Sequence, residues 1–419
     1  MGSFACVLGL RRPAGGLAVL LALLGVGCSS GSASTRHVTL TAGPAAAAFD
    51  TPMHVTVSGL PPGGPVTVQA QTRDGQNRPW DAQAEFRATA AGTLNLATAV
   101  PVSGSYHVAD ADGLLWSLQP ASTTSTAAQF TPGDTGFSVT VKVLIDGHAE
   151  ATGTLRREMT RPASVQTVRQ DGLASTLFTA PAARPGAPAV VVVGGGNGGE
   201  ETLLADGLAL AGYPALALGY LKEPGLPQCV CSIPLEYFAR AVGWLRAQPA
   251  ARGRPVVLIG DSTGADAVLL TASYDPHLAD AIVANSPGYL ILGAEGGSAA
   301  SAAWTFHGQP LTAGALIPVA DIRVPVLLSD GGQDLIAHSA PSAARIIQEL
   351  RQSADHTPYT NLYYPGAGHI AAGFPPDFPY SAITGGTLRG GTEQANALAA
   401  EQFWAKMITF LGNPSAPLK

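Results

Sequence analysis

Positive charge is scarce in this sequence. Its 419 residues contain 23 Lys and Arg against 29 Asp and Glu, which gives a formal net charge of −6. Proteins that bind nucleic acids usually present basic patches to the phosphates, and this composition offers no excess of basic residues. We therefore expect no nucleic-acid partner.

Cysteine is equally rare. The chain has four, and only Cys229 and Cys231 follow Cys28. Two cysteines cannot build a disulfide framework, and a Cys-x-Cys pair without a neighbouring His is a poor zinc site because zinc usually takes four ligands. The pair is either bridged or a pair of free thiols. We expect it to be structural or incidental, and we expect no metal site.

The N-terminal apolar run is too short to cross a bilayer. It extends from Leu17 to Val26, after Arg11 and Arg12, whereas a spanning helix needs about 20 residues. A short apolar run after positive charges is typical of a signal peptide, which we predict at residues 1–27.

The residues that follow this run predict a lipid anchor. The segment LGVGC resembles a bacterial lipobox, although Gly25 stands where that pattern prefers Leu, Val or Ile. The resemblance implies that Cys28 is acylated and that residues 28–36 form a flexible tether to the membrane. The expected location is the cell envelope of an exported protein, with secretion as the alternative.

Short alternating strands dominate residues 37–160. In FSVTVKVLI, from Phe137 to Ile145, every second residue is apolar, as in a strand with one buried face. HVTVSG and PVTVQAQ flank the turn LPPGG, which favours a hairpin or a sandwich corner. Several short strands with frequent turns predict an all-β, immunoglobulin-like sandwich.

The pattern changes in residues 161–419. AVVVV is apolar on both faces, as in a strand buried within a parallel sheet. LEYFARAVGWL instead carries an apolar helical stripe. Further buried strands are predicted at VVLI, AIVA and VPVLLS, with helical stretches between them. Alternating strands and helices predict a doubly wound, mostly parallel α/β sheet, whose ligands gather beyond the carboxyl ends of the strands.

Two segments have the G-x-S-x-G spacing of a serine hydrolase nucleophile turn. GCSSG lies in the predicted tether, where a nucleophile could not be held rigidly. GDSTG follows the strand VVLI and precedes ADAVLLTA, a predicted helix. The chain has 50 glycines, so the spacing alone is weak evidence, but this strand-turn-helix context is the one the motif requires. We predict Ser262 as the nucleophile; the alternative is a tight turn with an exposed serine.

A serine nucleophile needs a base and an acid, which follow it along the chain in this class of fold. The Gly-rich loop YYPGAGH offers His369 as the base, and the loop after VPVLLS offers Asp334 as the acid. Asp330 is the alternative acid because it lies closer to the end of the strand. The alternative histidines are His307, His338 and His356.

An oxyanion hole needs two backbone N–H groups. Thr263 offers one, and the loop GGGNGG after AVVVV offers the other from Gly195, Gly196 or Asn197. This loop lacks the following acid of a dinucleotide site, and no Lys or Ser/Thr closes it as a phosphate cradle. We therefore expect no cofactor.

The order of these segments resembles that of a known family. FRATAAGTLNL and GLLWSLQP in the first half, and GGGNGGEE, YPALALGYLKEPGLP, GDSTG, GGQD, YPGAGH and GGTLRGGTEQANALAAEQFW in the second, are similar to family segments. The chain resembles the acyl-CoA thioesterases and the bile acid-CoA:amino acid N-acyltransferases. The resemblance implies a β-sandwich ahead of an α/β-hydrolase domain, with Ser262, Asp334 and His369 as catalytic residues. It also implies hydrolysis of an acyl thioester through an acyl-enzyme, since family members with cysteine instead transfer the acyl group to an amine.

Two departures leave other functions open. Between Gly260 and Ala340 the only Lys or Arg is Arg323, whereas the phosphates of coenzyme A normally contact such cations. After His369 the chain reads IAAGFPP, where the family tends to have an acidic residue followed by paired prolines. An exported carboxylesterase or lipid acyltransferase that does not use CoA is one alternative, and an inactive surface binding module is another. The segment Pro287–Leu316, rich in Gly, Ala and Ser, predicts a lid or a wall of the acyl pocket, with a surface excursion as the alternative.

Overall fold

The computed structural model describes residues 37–48, 50–121, 130–133, 135–158, 164–179, 184–295, 302–353, 356–369, 389–416 and 418. The predicted signal peptide, Cys28 and the predicted tether up to residue 36 lie outside the described residues. From Val38 onward the chain forms one compact unit. None of the helices in the described ranges is long and apolar enough to cross a membrane.

The N-terminal part of the chain consists of ten strands and one short helix. These are β1 (Thr39–Gly43), β2 (Ala46–Ala48), β3 (His54–Ser58), β4 (Pro65–Arg73), β5 (Pro79–Arg87), β6 (Leu94–Asn95), β7 (Ser103–Gly104), α1 (Gly113–Trp116), β8 (Gln119–Pro120), β9 (Phe137–Ile145) and β10 (His148–Glu158). One sheet has the order β1-β3-β6, and the other has the order β2-β10-β9-β4-β5-β7 with β8 on β5. The predicted sandwich is confirmed.

Alternation along the strands explains this architecture. In β9 the side chains of Phe137, Val139, Val141 and Val143 are buried, while their neighbours are exposed or half-buried. Ile145, predicted to point inward as well, is only half-buried at the end of the strand. Burial of each such side chain contributes roughly 1.5–3 kcal/mol. The turn LPPGG joins β3 to β4, which belong to different sheets, and is therefore a sandwich corner.

The second part of the chain is an α/β domain. Its elements are β11 (Ser164–Val168), β12 (Ala174–Thr179), β13 (Ala189–Val193), α2 (Thr202–Leu210), β14 (Ala215–Gly219), β15 (Ile233–Pro234), α3 (Glu236–Ala247), β16 (Val256–Asp261), α4 (Thr263–Tyr274), β17 (Ala281–Asn285), β18 (Trp304–Phe306), β19 (Gln309–Pro310), a 3-10 turn (Val319–Asp321), β20 (Val326–Gly331), α5 (Ser339–Leu350), β21 (Tyr359–Tyr364) and α6 (Glu393–Gly412). The buried strands predicted from AVVVV, VVLI, AIVA and VPVLLS are β13, β16, β17 and β20.

The main sheet of this domain has eight strands in the order β11-β12-β14-β13-β16-β17-β20-β21. The strands from β14 to β21 are parallel, and β11 and β12 form an antiparallel edge. Strand order reverses between β13 and β16, so the loops after these two strands leave the same sheet edge side by side. Such a reversal is where open α/β sheets bind ligands. The predicted α/β-hydrolase fold is confirmed.

Two helices show how the sequence supports the sheet. The apolar stripe predicted before and along α3 is buried at Leu235, Phe238, Val242 and Leu245. Helix α6 begins after Thr392, whose Oγ1 accepts a hydrogen bond of 3.1 Å from the N–H of Ala395. The apolar side chains of α6 belong to the same hydrophobic core as those of the sandwich strands.

Candidate active site

Ser262 lies on a sharp turn between β16 and α4. Its backbone has φ +54° and ψ −122°, a region that residues with a side chain rarely adopt. The N–H of Ser262 donates a hydrogen bond of 2.9 Å to the carbonyl of Asn285, at the end of the neighbouring strand. A conformation of this kind costs on the order of 1–3 kcal/mol and persists only where the surroundings impose it.

The two glycines of GDSTG are required by close backbone contacts. A Cβ on Gly260 would lie 2.2 Å from the carbonyl oxygen of Gly264, and one on Gly264 would lie 2.3 Å from that of Val193 in β13. Both distances are far inside van der Waals contact. The nucleophile turn is therefore pressed against the end of β13, which brings Ser262 next to the loop GGGNGG.

His369 joins Ser262 to an acid. Its Nε2 lies 2.8 Å from Oγ of Ser262, and its Nδ1 lies 2.9 Å from Oδ2 of Asp334. The imidazole is almost completely buried. Its loop is held by a hydrogen bond of 2.8 Å from the N–H of His369 to the carbonyl of Arg389. The structure thus brings together the three side chains that the sequence selects.

Asp334 is poised as an anion. Its Oδ1 accepts hydrogen bonds from the N–H groups of Ile336 (2.8 Å) and Ala337 (3.0 Å), and its Oδ2 accepts one from Ser339 (3.3 Å). Burial alone would raise the pKa of Asp334, but the hydrogen bond and charge of His369, with these donors, lower it to about 2. The carboxylate therefore stays ionised and can hold the imidazole.

The alternative acid and histidines occupy other places. Asp330 is buried on β20, and its Oδ1 has no hydrogen-bond partner among the described residues. Burial raises the pKa of Asp330 to about 6. His307 and His356 are exposed, and His338 precedes α5 at the N-cap position without a capping hydrogen bond from its side chain. Among these alternatives, no hydrogen bond to Ser262 occurs within the described ranges.

The predicted oxyanion groups surround the serine. Gly195, Gly196, Asn197 and Thr263 line one cavity together with Ser262. A Cβ on Gly195 would lie 3.4 Å from Cβ of Ser262, and one on Gly196 would lie 3.0 Å from Oγ1 of Thr263. No hydrogen bond between described residues engages the N–H of Thr263 or of Gly196. These donors are free to bind an anionic oxygen.

One aromatic side chain supports the GGGNGG loop. The hydroxyl of Tyr220 donates a hydrogen bond of 3.2 Å to the carbonyl of Gly195. The ring of Tyr220 is buried and stacks on Trp304, with 6.2 Å between ring centroids. Tyr220 therefore holds the GGGNGG loop in place through a hydrogen bond from a buried side chain.

Two cavities meet at Ser262, and Thr263, Leu292 and Ile336 line both. The first, which we call the His369-side cavity, has a volume of about 370 Å³; it is also lined by Gly195, Gly196, Asn197, Val230, Gly293, Glu295, His369 and Arg389. The second, the Asp266-side cavity, has a volume of about 300 Å³; it is also lined by Asp266, Ser286, Gly288, Tyr289, Leu290, Ala337 and Ser342.

The segment predicted as a lid or pocket wall, Pro287–Leu316, has one part that lines the cavities and another that packs in the core. Its residues 288–295 contribute to the walls of both cavities. Trp304 instead packs into the core beside Phe238 and Tyr220. Residues 296–301 lie outside the described residues.

Sequence reasoning missed several residues of the cleft. Arg389 and Glu295 bring charge to the His369-side cavity, and Asp266 brings a carboxyl group to the other. The signal for Arg389 is the segment GGTLRGGTEQ, which resembles the family. Cys229 and Cys231 form a disulfide, and Val230 between them lines the cavity. In the described part of the chain, no cluster of three or more His, Cys, Asp or Glu could hold a metal ion.

Known proteins resemble the chain along most of its length. Residues 50–173 match the family model "Acyl-CoA thioester hydrolase/BAAT N-terminal region", and residues 233–295 and 301–416 match "BAAT / Acyl-CoA thioester hydrolase C terminal". Mitochondrial acyl-coenzyme A thioesterase 2 of Mus musculus is 29% identical over 399 residues, covering 86% of each chain. Acyl-coenzyme A thioesterase 1 of Rattus norvegicus is 33% identical over 244 residues, covering 57% of this chain and 58% of that protein.

Solved structures resemble about three-fifths of the chain. A dienelactone hydrolase-like promiscuous phosphotriesterase from metagenomic libraries is 19% identical with a TM-score of 0.42, covering 60% of this chain and 98% of that chain. Dienelactone hydrolase from Anabaena variabilis is 17% identical with a TM-score of 0.36, covering 58% and 98%. The two family models, in the order found along this chain, carry the assignment. The chain belongs to the acyl-CoA thioester hydrolase/BAAT family.

Proposed function

We propose that the protein is a serine-dependent acyl hydrolase that cleaves acyl thioesters through an acyl-enzyme on Ser262. The observation that carries this proposal is the hydrogen-bonded path from Ser262 through His369 to Asp334. The family, whose members named above are acyl-CoA thioesterases, supports a thioester as the substrate.

Acylation follows from this path. His369 Nε2 removes the proton from Oγ of Ser262 as the oxygen attacks the acyl carbonyl carbon. Asp334 keeps the imidazole oriented and stabilises its positive charge. The N–H groups of Thr263 and the GGGNGG loop bind the oxyanion, and each such donor contributes roughly 2.7–4 kcal/mol to lowering the barrier. The C–S bond then breaks, and His369 gives the proton to the departing thiolate.

Deacylation repeats these steps with water. His369 removes a proton from a water molecule, which attacks the acyl-serine carbonyl at the same oxyanion site. The C–O bond to Ser262 breaks, and the proton returns to Oγ. The products are a carboxylic acid and the regenerated serine. An acceptor hydroxyl or amine in place of water would make the same intermediate the donor in an acyl transfer.

The location of the protein is part of the proposal. The apolar run and the lipobox-like segment that ends at Cys28 support export and anchoring in the cell envelope. In cells fed radiolabelled palmitate, the wild-type protein should carry the label and partition into the detergent phase. Cys28→Ala should lose both the label and this partitioning.

A labelling experiment tests the nucleophile. A fluorophosphonate probe should label the wild-type protein and leave Ser262→Ala unlabelled. In that variant, kcat/KM should fall at least about 10³-fold for both butyryl-CoA and p-nitrophenyl butyrate. Unchanged turnover in Ser262→Ala would refute the assignment. A folded wild-type protein that takes up no probe would favour the inactive binding module.

A further inference from the structure

Asp266 brings a buried carboxyl group to the wall of the catalytic cleft. It lies on the first turn of α4, and its N–H donates a hydrogen bond of 3.3 Å to the carbonyl of Ser262. Residues spaced in this way lie on one face of a helix, about 6 Å apart along its axis. Asp266 is only 3% exposed and lines the Asp266-side cavity together with Ser262. The acylation and deacylation steps described above do not use this carboxyl group.

The two oxygens of this carboxyl group differ in their contacts. Oδ1 of Asp266 accepts a hydrogen bond of 2.7 Å from the N–H of Gly288, and no hydrogen bond to Oδ2 occurs within the described ranges. Gly288 lines the same cavity. A Cβ on Gly288 would lie 3.2 Å from Oδ1 and 3.3 Å from Oδ2, so a larger residue there would cover the carboxyl group. Because buried polar groups nearly always have a partner, Oδ2 is suited to a polar atom of a bound ligand.

No positive charge accompanies Asp266 in this cavity. Among the described residues that line it there is no Lys, Arg or His. Residues 296–301 and 370–388, which lie outside the described ranges, contain none of these in their sequence either. Burial raises the pKa of Asp266 to about 7, against the lowering effect of the hydrogen bond from Gly288. Near neutral pH both the acid and the carboxylate therefore occur, and a ligand hydroxyl, which can donate and accept, satisfies either form.

The reaction itself decides which part of the substrate meets Asp266. His369 must give its proton to the departing sulfur, so the leaving group has to lie on the His369 side of Ser262. His369 does not line the Asp266-side cavity, which is left for the acyl group. This cavity has a volume of about 300 Å³, and apolar side chains such as those of Leu290 and Ile336 contribute to its walls. It therefore suits a short acyl chain that carries one polar substituent.

We propose that Asp266 binds a hydroxyl group on the acyl chain, and that the protein consequently prefers short hydroxyacyl substrates to the corresponding unsubstituted ones. This inference rests on the proposed acyl hydrolase function. The spacing of about 6 Å from Ser262 along the helix places the hydroxyl on the third or fourth carbon of the acyl group. In the acid form Oδ2–H donates to the hydroxyl oxygen, and in the carboxylate form Oδ2 accepts the hydroxyl proton. A site built for a hydroxyl discriminates against the analogue without it, because the buried polar group of the site is then left unpaired.

A matched pair of substrates tests the proposal. The butyryl and 3-hydroxybutyryl thioesters of N-acetylcysteamine differ only in the hydroxyl group. In the wild-type protein, kcat/KM for one enantiomer of the hydroxy substrate should exceed kcat/KM for the butyryl substrate about 5- to 10-fold. Asp266→Leu should bring this ratio to about one or below, whereas Asp266→Asn, which keeps a polar group, should retain part of it. A wild-type ratio near one for both enantiomers, or an unchanged ratio in Asp266→Leu, would overturn the proposal.

Two controls accompany this comparison. Because each ratio is measured within one variant, it does not depend on the fraction of protein that folds. Asp206→Leu makes the same change at another buried aspartate with an oxygen unpaired among described residues, but Asp206 lines neither cavity, so its ratio should equal the wild-type ratio. An equal fall in Asp206→Leu and Asp266→Leu would overturn the proposal, because the preference would then not come from this cavity.

Two further measurements separate this inference from its alternatives. The β-alanyl thioester carries an ammonium group in place of the hydroxyl, and a selective loss of that substrate in Asp266→Leu would assign Asp266 to a cation and overturn the proposal. The amide of 3-hydroxybutyrate should protect Ser262 from a fluorophosphonate probe better than butyramide does, and this advantage should vanish in Asp266→Leu. Protection needs no turnover, so it supports the role of Asp266 even if neither thioester is hydrolysed. Equal protection by the two amides in the wild-type protein would overturn the inference.

Discussion

The carboxylate of Asp334 lies 2.9 Å from Nδ1 of His369, while that of Asp330, four residues earlier, remains buried on β20. The three intervening residues, Gly331, Gly332 and Gln333, form the turn that carries Asp334 over the edge of the sheet. The N–H groups after this turn then hold the carboxylate in place. The two neighbouring acids therefore lie in different environments. Hydrogen bonds keep Asp334 ionised, whereas burial without a described partner for Oδ1 favours the neutral form of Asp330.

Asp334→Asn and Asp330→Asn should have opposite consequences. We expect Asp334→Asn to lower kcat by about 10³-fold or more, because the amide no longer stabilises the imidazolium. Asp330→Asn should keep activity within a few-fold, since burial already raises the pKa of that carboxyl to about 6 and favours a neutral group. Steady-state kinetics of both variants give the test. A large loss in Asp330→Asn with folding intact would contradict the structure.

Asp206 makes stability depend on pH. It is buried on α2 with its Oδ1 unpaired among described residues, and burial raises its pKa from 3.8 to about 7. The folded state therefore keeps this proton where the unfolded state has lost it. The contribution of this protonated carboxyl group to the stability of the folded protein is fully present below pH 3.8 and is lost as pH rises through 7.

Asp206→Asn should remove this dependence. Between pH 5 and pH 7 the variant should gain about 2 kcal/mol in free energy of unfolding relative to wild type. Urea titrations at the two pH values measure the difference. A gap between variant and wild type that stays constant with pH would refute the assignment of the proton to Asp206.

The nucleophile turn should tolerate no side chain at Gly264. We expect Gly264→Ala to abolish activity and to destabilise the protein by several kcal/mol, because its Cβ would lie 2.3 Å from the carbonyl oxygen of Val193. Gly243→Ala is the matched control: Gly243 is in the interior of α3 and has open space around it, so the same change should stabilise the protein by roughly 0.5–1 kcal/mol. Activity and thermal unfolding distinguish the two. Wild-type kinetics in Gly264→Ala would show that the turn is not packed as described.

The support behind the oxyanion loop should appear in kcat. Tyr220→Phe keeps the ring on Trp304 and removes only the hydrogen bond to Gly195, so we expect kcat to fall about 3- to 10-fold from a looser loop. Tyr213→Phe is the control, because its hydroxyl donates to the carbonyl of Ile408 away from the cleft. That variant should lose about 1 kcal/mol of stability without a loss of kcat. Equal kcat in the two variants would show that the Tyr220 hydroxyl does not support catalysis through this loop.

The sequence predicts the parts of this site that local patterns encode. Ser262 follows from a strand, a Gly-flanked turn and a helix in succession, and AVVVV predicts the neighbouring strand through its apolar residues. The sequence favours Asp334 over Asp330 through the DGGQ turn but cannot settle the choice, because it depends on how that turn bends. No periodicity signals such a bend.

Arg389 escaped prediction for a different reason. Its place beside His369 comes from backbone contacts between loops, namely the hydrogen bond to the N–H of His369 and the bridge between Ala367 and Gly391. Contacts of this kind leave no residue pattern that assigns a place to Arg389; only the resemblance of GGTLRGGTEQ to family segments points to this stretch. The bridge between Cys229 and Cys231 was likewise one of two alternatives, since spacing cannot tell a disulfide from two thiols.

The last helix contacts the first domain of the chain. Gln394 accepts a hydrogen bond of 3.1 Å from the N–H of His107, and Glu393 accepts one of 3.0 Å from Gln119. Beneath them, Phe403, Trp404 and Met407 share a core with the sandwich. The strands of the sandwich are synthesised before α6, so part of their apolar surface stays uncovered until that helix has been made. Removal of α6 would therefore destabilise the sandwich, and the sandwich on its own would be a poor unit for expression.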